Sequence, residues 1–188
     1  MAEETFAELP ASGGARARDE YELRFQKAQP SDLREVVQLF EGAIENMNRN
    51  HILQWDEIYP NEEVLREDIE KEQMYLGRID NKIASVYVLS GEYDDEYNHA
   101  DWRYPEASFV ILHRLCVHPA FQNRGVARRT MERIEESVRK SGVETIRLDA
   151  FSENPYALRL YKGLGYHKTG TANWRKGLFY LYEKNLTV

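Results

Sequence analysis

Apolar residues recur along this chain in two alternating rhythms. Leu23 and Phe25 are spaced by polar neighbours and lead to Ala28, which predicts a first strand. Pro30-Ser31-Asp32 supplies a helix start, with Ser31 or Asp32 as the cap. Leu33, Val36, Val37, Phe40, Ile44 and Met47 then follow helical spacing. The period breaks over 48–60, a loop carrying Trp55 and Tyr59, and resumes as a second helix through Val64, Leu65, Asp68 and Ile69. Residues 74–79 and 83–89 read as strands joined by a tight turn at Asp80-Asn81. The stretch 91–106 is polar, acidic and aromatic, and reads as a long loop. Residues 108–117 are apolar on both faces, as in a buried central strand.

A third helix buries Ala127, Met131, Ile134 and Val138, and Gly142 ends it. Residues 145–150 form another strand. Asn154 caps a fourth helix with Pro155 at its first position, and Gly163 closes it. Residues 166–169 and 178–184 are the last two strands. The order βααβββαβαββ sets an antiparallel run against a crossover helix, which is α+β. Residues 1–20 lack an apolar period and read as a flexible extension, leaving 21–188 as one domain.

Composition narrows the partners. A chain of 188 residues that is 42% hydrophobic can bury a core, yet no apolar run reaches membrane-span length. A formal net charge of −7 argues against a nucleic-acid binder and is compatible with a cationic substrate. The one cysteine, Cys116, cannot form an intrachain disulfide, and no apolar leader is visible, so a cytoplasmic setting is expected. Neither C-x-x-C nor H-E-x-x-H occurs, so no metal is expected.

The most specific chemistry lies between the central strand and the third helix. Gln122-Asn123-Arg124-Gly125-Val126-Ala127 puts a glycine at a strand-to-helix turn, where the free N–H groups of the helix can meet an anion. Arg124, Arg128 and Arg129 add positive charge there. No Gly-Lys-Ser/Thr follows, and the pattern is not G-x-G-x-x-G.

This turn, after Leu115-x-Val117-x-Pro119, resembles motif A of the GNAT superfamily of acetyl-CoA-dependent N-acetyltransferases. Asn154-Pro155-Tyr156-Ala157 through Tyr161 to Gly165-Tyr166 is similar to a second segment of that family, Asn-x-x-Ala-x-x-x-Tyr-x-x-x-Gly-Phe/Tyr. The resemblance implies a mixed, mostly antiparallel sheet of six to seven strands, flanked by about four helices and splayed at its central strands. It implies that backbone N–H groups of Gln122, Asn123, Arg124, Gly125, Val126 and Ala127 bind coenzyme A pyrophosphate, with Arg124 and Arg128 reaching phosphate oxygens. Leu115, Cys116 and Val117 would pair with the pantetheine arm as a strand would, with an N–H near Cys116 facing the thioester oxygen. Asn154 would cap its helix and contact the same arm.

By the same resemblance Tyr161 protonates the departing thiolate; a packed tyrosine is the alternative. For the proton acceptor two candidates stand. In one member of the family a histidine at the position of His113 is assigned to proton transfer. Glu106, just before the central strand, matches the carboxylates that relay protons through water. The acceptor pocket would fall to Trp55 and Tyr59, with Asp56 and the acidic stretch from Glu92 to Tyr97, a composition suited to a cationic amine. The expected reaction is direct transfer of acetyl from acetyl-CoA to a small or amino-acid-like amine. A protein N-terminal or lysine acetyltransferase, and an acyl-CoA-binding module without turnover, stay open. No nucleic-acid or membrane partner is expected, and a homodimer is compatible with the resemblance.

Overall fold

A computed structural model describes residues 21–187. The expected extension at 1–20 lies outside the described residues. Seven strands, β1 Arg24–Lys27, β2 Met74–Ile79, β3 Lys82–Ser90, β4 Phe109–Val117, β5 Thr145–Phe151, β6 His167–Trp174 and β7 Gly177–Asn185, form one sheet in the order β1-β2-β3-β4-β5-β7-β6. The helices are α1 Leu33–Arg49, α2 Glu62–Glu70, α3 Val126–Ser141 and α4 Pro155–Gly163. This is the α+β architecture that the periodicity predicts.

Strand alternation sends neighbouring side chains to opposite faces. Met74, Leu76, Val86, Val88 and Cys116 pack with Val36, Leu39 and Phe40 of α1 and Leu65 and Ile69 of α2. On the other face Leu112, Ile146, Leu148 and Ala150 pack with Met131, Ile134 and Val138 of α3 and Tyr161 of α4. Among the described residues, no helix is long and apolar enough to cross a membrane.

Only β4 and β5 run parallel, and they pair over four positions, Phe109↔Thr145 to Leu112↔Leu148. Beyond Leu112 the two strands part. β4 follows β3 to Val117↔Ser85, while β5 follows β7 through Asp149↔Leu181 to Phe151↔Phe179. A bulge accompanies the divergence: His113 pairs with Val88 and Cys116 with Val86, so β4 carries one residue more than β3 between them. Arg114 absorbs it at φ +51, an uncommon conformation for a side chain of that size. Its guanidinium is anchored by Asp68 of α2, Nε to Oδ2 at 2.7 Å and Nη2 to Oδ1 at 2.5 Å.

One expectation shifts. The last hairpin is longer at its first strand: β6 runs to Trp174, and Arg175-Lys176 make the turn. Gly170 and Asn173 are poor strand formers, so local propensity ended that strand early. The expected long loop is present, between Ser90 and Phe109. It contains a 3-10 turn, Asp95–His99, and buries Tyr97 at 3% exposure. Glu183 of β7 accepts the backbone N–H groups of Arg103 and Tyr104 and the Arg147 Nε. The Arg147 guanidinium lies 4.3 Å and 4.0 Å from the ring centres of Trp102 and Phe109. Those contacts strap the loop across β5 and β7.

Candidate active site

The parting of β4 and β5 opens a cavity of about 1260 Å³. That exceeds the usual span of a single small-ligand site, and suits two reactants held together. Its walls come from α1 and the loop after it, both inner strands, the turn into α3, α4 and the β6–β7 turn.

At one end the turn Gln122–Gly125 leads into α3. Asn123 and Gly125 take left-handed conformations, at φ +59 and φ +80, and Gly125 is the N-cap. Among the described residues, and apart from its chain neighbours, a Cβ on Gly125 would meet no atom within 4 Å. The glycine is therefore required by its φ, and the space in front of it is open for an anion against the first turn of a sixteen-residue helix. The Gln122 amide ties the turn to the Val117 carbonyl at 3.2 Å and accepts from Asn46 of α1 at 3.0 Å. Gln122, Asn123, Gly125, Val126, Ala127 and Arg128 line the cavity, as do Leu115, Cys116 and Val117. Arg124 is not among the lining residues: its guanidinium stacks over Tyr21 and Phe121, and its carbonyl accepts from the Tyr21 hydroxyl at 2.7 Å.

The β5-facing edge of β4 beyond Leu112 has no strand beside it, so its backbone groups can pair with an extended arm. Cys116 is buried, and burial pushes its thiol well above the usual range. Asn154 caps α4 by accepting from the Ala157 N–H at 3.1 Å, and its amide donates to Gln54 at 2.9 Å. Tyr161 reaches the cavity from α4. Burial, and after it the charge of Asp149, raise its phenol well above the usual value, so it stays protonated.

The opposite end is aromatic and carries charges of both signs, Glu92, Asp94 and Asp149 with Arg114, Arg175 and Lys176; Asp56, expected there, is not among the lining residues. Trp55 is buried against Phe40, ring centres 5.3 Å apart, and also faces the cavity. The Tyr59 hydroxyl accepts from Arg114 Nη1 at 2.5 Å. Asp56 takes a two-pronged bond from Arg175, both contacts at 2.7 Å, and one from Lys176 at 3.2 Å. This joins the loop after α1 to the β6–β7 turn and holds the Asp56 carboxyl well below its usual range. Tyr93, Asp94, Trp174 and Phe179 complete that end.

The expected proton-handling residues are placed differently from one another. His113 lines the cavity, but its Nε2 lies 3.2 Å from Ser90 Oγ and 3.1 Å from the Glu92 carbonyl. Burial, and then the neighbouring Arg114, push its imidazole down to about 4. Glu106 is exposed and not among the lining residues. The reason is positional: it precedes the end of β4 that pairs with β5, whereas the cavity opens at the other end.

The residue missing from the expectations is Asp149. It lines the cavity one position past the last β4–β5 pair. Tyr97 donates to its Oδ2 at 3.0 Å. Although the cavity leaves part of the residue open, the surrounding packing pushes the carboxyl up to about 6; the Tyr97 bond and Arg114 work against that rise, and Asp94 adds to it. The available signal was a carboxylate between Leu148 and Ala150, in register with Thr145 and Arg147 on the polar face of an alternating strand. Among the described residues, no group of three or more metal-ligating side chains is gathered.

Comparison with known proteins agrees with this geometry. Residues 39–166 match the family model described as Acetyltransferase (GNAT) family. A 70-residue stretch, 37% of this chain, is 30% identical to an L-methionine sulfoximine/L-methionine sulfone acetyltransferase of Salmonella typhimurium, and it spans only 41% of that relative. An acetyltransferase of the GNAT family from Streptococcus agalactiae superposes with a TM-score of 0.76 at 19% identity, over 87% of this chain and 95% of that one. The PaiA N-acetyltransferase of Thermoplasma acidophilum, solved in complex with coenzyme A, superposes with a TM-score of 0.66 at 15% identity, over 87% and 99%. At those identities the structural likeness concerns the fold.

Proposed function

The chain belongs to the GNAT family of acetyltransferases, and from that premise we propose that it moves an acetyl group from acetyl-CoA to the primary amine of a small, amino-acid-like molecule. The amine attacks the thioester directly while both substrates are bound. The observation that carries this reading is the gap between β4 and β5, which runs from the glycine turn of α3 to an aromatic chamber bearing charges of both signs.

In this reading the N–H groups at the start of α3 and the Arg128 side chain hold the pyrophosphate. The open edge at Leu115, Cys116 and Val117 takes the pantetheine arm, and an N–H there faces the carbonyl oxygen as charge develops on it. Tyr161 donates its proton to the departing sulfur. Cys116 takes no part: its burial keeps the thiol protonated, and a covalent acetyl-enzyme needs a thiolate. The amino-acid-like acceptor is supported by the Salmonella relative, named for acetylating the amino-acid analogues L-methionine sulfoximine and L-methionine sulfone. Trp55 and Tyr59 contribute to the acceptor chamber.

Initial-velocity kinetics test the order of events. Direct transfer predicts double-reciprocal lines that intersect as acetyl-CoA and acceptor are varied. Parallel lines, with acetyl trapped on the protein when acceptor is withheld, would overturn it.

A further inference from the structure

We propose that Asp149 is the group that takes the proton from the attacking amine, and that Tyr97 positions it. This rests on the acetyl-transfer reading and fills the one role that the reading leaves open.

Placement comes first. Asp149 is the first β5 residue without a β4 partner, so it stands where the gap begins. Alternation along β5 points it away from Leu148 and Ala150, which pack on the same face as Tyr161. The acid and the proton acceptor thus flank the gap from opposite faces of the sheet.

Partnering comes second. A buried carboxylate kept for structure is normally ion-paired, because desolvation is costly otherwise. Asp149 is not: among the described residues only the Tyr97 hydroxyl donates to it, at Oδ2. Arg114, the nearby cation, is already bonded to Asp68 and Tyr59. Among the described residues Oδ1 therefore has no donor, and it belongs to a side chain that lines the cavity.

Basicity comes third. A carboxyl near 6 is ionised at neutral pH and is a stronger base than an ordinary aspartate. His113, near 4, is the weaker acceptor, and its Nε2 already faces Ser90 and Glu92. The charged and titratable groups around Asp149 are Tyr97 and Asp94 from the strapped loop, Arg114 from β4, Tyr161 from α4 and Tyr59 from the loop after α1.

The acceptor ammonium first loses a proton to water. The amine lone pair attacks the thioester carbon, the N–C bond forms and the carbonyl pair moves to oxygen. The nitrogen, now cationic, gives a proton to Asp149 Oδ1. The oxygen pair returns, the C–S bond breaks, and sulfur leaves with that pair and takes the Tyr161 phenolic proton. Asp149 returns its proton to the Tyr161 phenolate through solvent, and both residues are restored.

The test compares pH profiles of kcat, with acetyl-CoA affinity measured by calorimetry, for wild type, Asp149→Asn and Tyr97→Phe. Asparagine keeps an acceptor for the Tyr97 hydroxyl. Asp149→Asn is expected to bind acetyl-CoA as wild type does, lose roughly 10²–10⁴-fold in kcat, and lose the acid limb near pH 6. Tyr97→Phe removes a bond that favours the ionised carboxyl, so its acid limb should move to higher pH. The acceptor's own titration is identical in all three proteins and cannot produce that difference. An Asp149→Asn protein that turns over as wild type does, or a Tyr97→Phe profile that does not move, overturns the assignment and leaves the acetyl-transfer reading standing. A wild-type protein that binds no acetyl-CoA overturns the reading beneath it, and the assignment with it.

Discussion

Two residues carry the proposed chemistry along the gap, Tyr161 and Gly125, and each is set by its surroundings. Tyr161 is 6% exposed, and burial holds its phenol in the protonated form that the proposed proton donor requires. Tyr161→Phe keeps the ring packed against Tyr166 and Tyr182 but removes the donor. It should lower kcat by about 10²-fold or more while acetyl-CoA affinity, read by calorimetry, stays within about threefold. Equal losses in both would make Tyr161 a packing residue. Gly125 acts by what it lacks. At φ +80 any other side chain costs roughly 1–2 kcal/mol, and its Cβ would enter the open space before α3. Gly125→Val should cut acetyl-CoA affinity by more than about tenfold while the fold, followed by circular dichroism, persists. Unchanged affinity would refute the anion cradle.

At the level of elements, the strapped loop is what turns a sheet edge into a chamber. Glu183 has no side-chain exposure and Arg147 has 6%, so the pair is buried along with the N–H groups of Arg103 and Tyr104 that Glu183 accepts. Removing one partner strands the other. Glu183→Ala should cost about 3–5 kcal/mol, lowering Tm on the order of 10 °C in a scanning experiment. It should also lower kcat, because the loop carries Tyr97 to Asp149; a loss of stability with kcat intact would separate the strap from catalysis. The helices and most strands were legible from spacing alone, since Val36, Phe40, Met131 and Ile134 repeat at the helical period and bury as that period requires. The chamber was not. Tyr97 and Asp149 are 52 positions apart, and the loop bearing Tyr97 has no period. The bulge at Arg114 is decided by its pairing with β3 and by Asp68, neither of which is local. Glu106 borders the central strand in sequence yet lies at its paired end, a distinction that only topology makes.

Across the whole molecule, the parted strands link the glycine turn of α3 at one end to an aromatic chamber of mixed charge at the other, within a single cavity. The two motifs that border the gap, the turn before α3 and the Asn154–Tyr161 segment of α4, were readable because each combines a glycine or a cap with a fixed spacing. The acceptor chamber draws on Asp56, Tyr97, Asp149 and Arg175, which are scattered along the chain and are joined only by folding. The central claim is that this cavity brings acetyl-CoA and an amine together for direct transfer. Its most direct test is acetyl-CoA-dependent release of free thiol against a panel of amino acids, amino-acid analogues, polyamines and short peptides. The account predicts release that depends on an acceptor, greatest with an amino-acid-like amine. Tight acetyl-CoA binding with no release above the acceptor-free rate, across the panel, would contradict it.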